Sequence, residues 1–288
     1  MDQIEDVDIP EKIDETWHFA SSLKYLAKDY SDIYNVNINF LKCILNLHKK
    51  AARIGAKFFY ASTAYVGGEN FSLVTEEEIK YSDDMIFNNE YERTKLMAEN
   101  LIMDAVRYDG INANILRPSV VIGDKHEGRL VNYHGYYLGV QALNEFKKYH
   151  SRWSVSDTEF RIIGMKSAET NLIPIDDCID IMYRIAASSP VSGMIFNVVN
   201  RKGVTLEQLI RVAEKNFGLN FICCEDKDFI GNPKNKHERM LSLGAGYVMP
   251  YCKLKIEFDA SNTTSVLGTT YSYELSDERL YEMNQKYI

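Results

Sequence analysis

The stretch from Glu90 to Tyr108 constrains this chain more than any other. Leu96, Met97, Leu101, Ile102, Ala105 and Val106 recur at helical spacing, and Gly110 follows where a helix can close in the left-handed conformation. Two short segments without a helical period bracket this helix. Lys57-Phe58-Phe59-Tyr60-Ala61-Ser62 is aromatic-rich and has the length of a central strand. Ile111 to Leu116 runs into Arg117-Pro118, where proline cannot donate to a sheet ladder and closes a strand.

The same alternation extends in both directions. Upstream, Glu15-Thr16-Trp17-His18-Phe19-Ala20 reads as a buried strand that stops at small residues, Ala20-Ser21-Ser22, on a ligand-facing edge. A helix is expected from about Ile33 to Arg53, with Gly55 as its cap. Downstream, a helix begins near Asp176 and a strand spans Met194 to Val199. Strand and helix in this order predict an α/β fold, a parallel sheet covered on both faces. Asp124 to Trp153 and the tail from Phe221 lack a clean period, and are expected to form a smaller substrate-side subdomain. The sheet domain then comprises residues 1–125 and 171–200, and the substrate-binding subdomain 126–170 and 201–288.

Composition narrows the function classes. The 288 residues suffice for a substantial core, and 45% hydrophobic with 26% charged residues is ordinary for a globular protein. A formal charge of -8 argues against a general binder of nucleic acid or anionic membranes, since both need dense Lys/Arg surfaces. Cys43, Cys178, Cys223, Cys224 and Cys252 follow no disulfide or zinc spacing. His126, His134 and His150 lack metal-ligand spacing, so no metal site is expected. The acidic start has no secretory pattern and no apolar run reaches membrane-span length, which together point to the cytoplasm.

Three features in fixed order carry the chemistry: Ser62-Thr63 at a strand end, Tyr91-x-x-x-Lys95 at a helix start, and Arg117-Pro118-Ser119 at the next strand end. Four residues of helix set Tyr91 and Lys95 on one face. An ammonium near the phenol would favour phenolate and make Tyr91 a usable proton donor to a carbonyl oxygen. Thr63 could hydrogen-bond the same oxygen, because carboxyl ends of parallel strands are where such sheets hold ligands. An isolated YxxxK reads as a packed tyrosine and a solvated lysine; the flanking strand ends favour the site. Tyr133, Tyr136 and Tyr137 are expected to line or pack the substrate subdomain, and Cys223-Cys224 to be core.

The runs FFYASTAYVGG, NNEYERTKLMAENLI and NILRPSVVIGD resemble extended short-chain dehydrogenase/reductases, most of all the thioester-reductase and fatty-acyl-reductase branch. The resemblance implies an incomplete Rossmann-type doubly wound parallel sheet with a smaller C-terminal substrate subdomain. It gives Thr63 the substrate-orienting hydroxyl, Tyr91 the acid, and Lys95 the hold on the nicotinamide ribose. Ala20, Ser62, Pro118, Ser119 and Val120 would line the nicotinamide half of NADP or NAD, and Asn37 would support the helix and lysine. The substrate implied is an acyl thioester on coenzyme A or a carrier protein.

That family begins with a G-x-x-G-x-x-G turn opening a helix, where backbone N–H groups hold the pyrophosphate. The glycines before residue 100 are Gly55, Gly67 and Gly68, and none opens a helix after a first strand. The resemblance sets residue 1 just before the family's fourth strand, so the first three strands have no counterpart and the grip on the dinucleotide is expected to weaken. The strand at Glu15 to Phe19 becomes a sheet edge open to another chain. A reductase completed by a second polypeptide, a reductase with a cofactor site rebuilt in the acidic N-terminus, a non-catalytic scaffold of the same fold, and a nucleotide-sugar epimerase or dehydratase are the alternatives.

Overall fold

The computed structural model describes residues 12–129, 135–151, 159–224, 238–240 and 249–288. Its centre is a parallel sheet of four strands in the order β1 (Ile13–His18), β2 (Ala52–Ala61), β4 (Asn112–Pro118), β9 (Ile195–Val198). His18 sits opposite Tyr60, Ala61 opposite Leu116, and Pro118 opposite Val198, so the carboxyl ends align along one edge. β1 is the outer strand and pairs only with β2 among the described residues.

Alternation along β2 explains why the strand reads as continuously apolar. Phe58 and Tyr60 point to one face, into a cluster with Leu41, Leu45, Ala98 and Ile102. Phe59 points to the other, against Ile181, Ile185 and Phe196. A parallel strand covered on both faces cannot show a polar side. The first face is covered by α1 (Tyr30–Tyr34), which passes through a π turn at Asn35–Phe40 into α2 (Leu41–Ala51), and by α3 (Glu90–Asp109). The second is covered by α5 (Ile175–Ala187) and α7 (Ser261–Leu267). The sheet is thus the doubly wound α/β arrangement expected from the sequence.

Local chemistry fixes the ends of α3. Asn89 Oδ1 accepts from Glu92 N at 2.9 Å as the N-cap, Glu90 and Glu92 sit in the first turn, and Gly110 takes φ 69° just past the end. Arg117, from the Arg-Pro-Ser run, is fully buried. It donates from Nε and Nη2 to Glu99 at 2.9 and 2.6 Å, and from Nη1 to the Thr75 carbonyl at 2.9 Å. This pair ties α3 to β4 and to the loop ahead of α3.

The smaller strands complete the second layer. β3 (Leu73–Val74) pairs with β12 (Glu257–Phe258), and β5 (Val120–Ile122) pairs with β8 (Leu172–Pro174). β6 (Glu159–Ile163) pairs with β11 (Asn220–Cys224), and β7 (Glu169–Thr170) with β10 (Val204–Thr205). A separate apolar core joins α4 (Tyr136–Ser151), α6 (Leu206–Phe217) and α8 (Asp277–Gln285) through Tyr137, Val140, Phe146, Phe217 and Met283. α4 occupies the stretch without a clean period: Tyr137, Val140, Leu143 and Phe146 recur every three residues, but polar neighbours dilute the stripe. The tail also returns to the sheet, since Val266, Leu267 and Tyr271 pack against the α5 cluster. All five cysteines are free. No helix among the described residues is long and apolar enough to cross a membrane.

Candidate active site

The end of β2 and the start of α3 bring Thr63, Tyr91 and Lys95 to the carboxyl edge of the sheet. Thr63 is buried with extended backbone, and its Oγ1 accepts from Tyr65 N at 3.3 Å, which turns the chain sharply away from the strand. Thr63 and Tyr91 both face a cavity of about 630 Å³. Ser62, Pro118, Ser119 and Val120 line the same cavity. Ala20 does not: it lies exposed past the end of β1.

Lys95 sits behind the cavity wall. Its Nζ donates to the Ala61 carbonyl at 2.6 Å and to the Tyr60 hydroxyl at 3.2 Å, and lies 4.6 Å from the Tyr60 ring centroid against 5.8 Å from that of Tyr91. Burial pulls its pKa down to about 7, opposed by the nearby charge of Glu99. Tyr91 is held above its ordinary range by burial, with Tyr25 and Glu92 adding to the shift. The sequence reading expected the reverse, a lysine that lowers the Tyr91 pKa. It goes the other way because burial of the phenol outweighs any help from the ammonium, which is engaged with Ala61 and Tyr60.

Asn37, inside the π turn, joins three elements. Its Oδ1 accepts from Ser22 N at 2.7 Å and from Ser21 Oγ at 3.0 Å, and its Nδ2 donates to Thr94 Oγ1 at 2.9 Å. Thr94 precedes Lys95, so Asn37 braces the turn of α3 that carries the lysine.

Whether these residues suit a nicotinamide is tested by buried polar atoms left without partners. Ser62 Oγ, Ser119 Oγ and His18 Nε2 are all buried and have no hydrogen-bond partner among the described residues. They lie at the carboxyl ends of β2, β4 and β1. Leaving such groups unpaired costs about 1–3 kcal/mol each, and a polar ligand arriving at this edge would recover that. The residues present fit the nicotinamide half of the cofactor. His18 itself is held neutral, its pKa pushed down to about 4 by burial and by Lys95.

Apolar side chains also line the cavity. Leu143 of α4, Ile162 of β6, and Leu206, Ile210 and Phe217 of α6 line it, and Tyr136 lies on its wall. Tyr137 instead packs into the core behind, giving its hydroxyl as acceptor to Gly123 N at 3.2 Å. Tyr133 and His134 lie outside the described residues. No group of His, Cys, Asp and Glu able to hold a metal occurs among the described residues.

Two cavity residues escaped the sequence reading. Glu92, next to Tyr91, is buried and has a pKa raised to about 7 by burial. Its Oε2 accepts from Asn88 N at 3.1 Å and Asn88 Nδ2 at 2.9 Å, and its Oε1 from the Tyr251 hydroxyl. Tyr251 comes from a tail with no periodic pattern. A glutamate in the first helical turn reads as a surface charge that suits the helix dipole, so neither residue carries a signal in the sequence.

Residues 4–182 match the family described as male sterility proteins. Among solved structures, the terminal R domain from the myxalamid PKS-NRPS biosynthetic pathway superposes with a TM-score of 0.72 at 15% identity, covering 93% of this chain and 66% of that one. The chain therefore spans just under two thirds of that domain's length. UDP-glucuronic acid 4-epimerase from Bacillus cereus, in complex with UDP-glucuronic acid and NAD, gives a TM-score of 0.62 at 19% identity, with 96% and 76% covered. RMD from Pseudomonas aeruginosa complexed with NADPH gives 0.59 at 14%, with 97% and 82% covered. At these identities the likeness is one of fold. Among curated proteins, none matches the sequence.

Proposed function

This chain belongs to the male sterility protein family, and from that premise we propose that it is an NAD(P)H-dependent reductase of an acyl thioester, on coenzyme A or a carrier protein. The observation that carries the proposal is the continuity of one cavity. Thr63 and Tyr91 stand at its polar end, and Leu143, Ile162, Ile210 and Phe217 line its apolar reach. An acyl chain seated there buries methylenes at about 0.8 kcal/mol each and sets its carbonyl at the two hydroxyls.

A nicotinamide against Ser62, Ser119 and Lys95 would supply hydride to the carbonyl carbon. Thr63 Oγ1 would hydrogen-bond the carbonyl oxygen and fix its direction. Tyr91 would hand its phenolic proton to that oxygen as negative charge develops, giving a thiohemiacetal whose collapse releases the thiol and an aldehyde. Because Tyr91 is held protonated well above neutrality, it is poised as a donor throughout the physiological range. The outer edge of β1 is where further strands, from the same or another polypeptide, would extend the sheet toward the pyrophosphate half.

The test is turnover by the purified chain. NADH or NADPH consumption should match thiol release from an aliphatic acyl thioester, and Tyr91→Phe should lower kcat by roughly 10²–10⁴-fold without unfolding the protein. Conversion of a UDP-sugar with no thiol release would sink the proposal.

A further inference from the structure

We propose that Tyr136 and Asn284 form a polar subsite on the cavity wall, one that takes a hydroxyl or a secondary amide carried by the thioester substrate. The proposal rests on the reading of the cavity as an acyl-thioester site, and names a chemical group that the substrate must bear.

Helix faces build this part of the wall. Tyr136, Val140 and Leu143 recur at turn spacing along α4, and Ile210, Ala213 and Phe217 do so along α6. α8 adds Asn284. Among the described cavity residues of these three helices, Tyr136 and Asn284 are the two with polar side chains. The packing of α8 does not call for one, since Leu280 and Met283 on the same helix enter the adjoining apolar core. An apolar side chain at position 284 would extend that core.

The Asn284 side chain is 2% exposed, and its Oδ1 is buried with no hydrogen-bond partner among the described residues. An unpaired buried carbonyl oxygen is destabilising, and a donor that reaches it removes the cost. The other end of the carboxamide meets Tyr136. Asn284 donates to the Tyr136 hydroxyl and opposes part of the rise, up to about 12, that burial imposes on this phenol. The hydroxyl therefore keeps its proton and can give it to a ligand.

Side by side, the two residues offer one donor, the phenol, and one acceptor, the amide oxygen. A hydroxyl or a secondary amide satisfies both at once, because each gives a proton and accepts one. Plain methylenes satisfy neither. A carboxylate or phosphate would be repelled by the amide oxygen, so the matching group is neutral. Gly135, the residue before Tyr136, donates through its backbone to Tyr25, whose ring packs edge-on against Tyr91 at 5.9 Å. The subsite is thus joined through Tyr25 to the phenol that serves the carbonyl. Two limbs of the substrate could bring the group there: an acyl chain bearing a hydroxyl, or a pantetheine arm bearing amides.

The experiment is calorimetric binding of unreactive thioethers to the full chain, which needs no turnover. Octyl and hydroxyoctyl chains are compared, each on a pantetheine arm and on a methoxyethyl arm that has no donor. Wild type should bind a probe with the matching group about tenfold tighter than the donor-free octyl methoxyethyl thioether, the share of one good hydrogen bond. A gain from the hydroxyl assigns the acyl chain as its source; a gain from pantetheine assigns the thiol arm. Asn284→Leu and Tyr136→Phe should each remove most of that gain, and Tyr136→Phe, which deletes a single oxygen, decides the matter if Asn284→Leu does not fold. All probes binding alike in the wild type, or a gain that survives in either folded variant, overturns the subsite while leaving the thioester reading in place; water alone then completes the carboxamide. Absence of binding by every probe overturns the thioester reading and the subsite with it.

Discussion

Asn37 Nδ2 donates to Thr94 Oγ1 across 2.9 Å, joining the π turn of the α1–α2 helix to the residue just before Lys95. The same side chain holds Ser21 and Ser22 through its Oδ1, so one amide spans the end of β1, the helix after it, and α3. A π turn displaces the helix by one residue per turn, and here it brings the amide inward, where Asn37 is 2% exposed.

Asn37→Ala should therefore cost about 1–3 kcal/mol, because it leaves Ser22 N and Thr94 Oγ1 without their buried partner. Thr94→Val removes the other end. If the two act as one brace, the double variant should lose markedly less than the sum of the singles. Chemical denaturation of the four proteins reads this directly, and strict additivity would contradict the brace.

Arg117 and Glu99 offer a sharper contrast. Both side chains are essentially unexposed, and the guanidinium also serves two backbone carbonyls, of Thr75 and Glu77. Arg117→Met should leave Glu99 as an unpaired buried charge and destabilise by about 3–5 kcal/mol. The double change Arg117→Met with Glu99→Leu should recover part of that loss. A double variant no more stable than Arg117→Met alone would show that the carbonyl contacts, not the charge, dominate.

These two cases mark what the sequence made legible. The strands around Phe58 and Ile115 and the helix α3 were readable because covered parallel strands and amphipathic helices leave periodic traces. The strand-end hydroxyls and YxxxK were readable because their order along the chain mirrors their order along the sheet edge. Arg117 read as part of a ligand-side motif, whereas its contacts are structural. Glu92 and Tyr251 were hidden because burial of a carboxyl is decided by a tail some 159 residues away, which no local pattern encodes. Ala20 was placed on the cofactor side, yet the chain leaves the sheet at His18 and carries it to the surface.

Lys95 predicts how stability varies with pH. Its folded pKa, about 7, lies below the ordinary lysine value of 10.5 that applies once the chain unfolds. Between those values the unfolded chain binds the proton more tightly, so this residue makes stability rise with pH, by up to about 1.4 kcal/mol per pH unit. Below about 7 both states hold the proton and the contribution is flat. Lys95→Met should remove this slope and stabilise the protein near neutral pH relative to wild type. Parallel stability curves for the two proteins between neutral and alkaline pH would show that Lys95 is not discharged by burial.

The depth of the cavity should set acyl-chain preference. Ile210 lies on α6, buried and on the cavity wall, with Leu206 and Ala213 beside it on the same helix. Ile210→Trp would occupy room that a long chain uses but leave the polar end at Thr63 and Tyr91 untouched. Excluding about three methylenes forfeits about 2.4 kcal/mol of burial, roughly a fifty-fold loss in kcat/KM. The loss should fall on long-chain thioesters while short ones react as before, because the hydroxyls and the incoming hydride see the same carbonyl. Measuring kcat/KM along a homologous series of acyl thioesters separates the cases: a loss uniform in chain length would mean that the substitution disturbs the fold rather than the chain's seat.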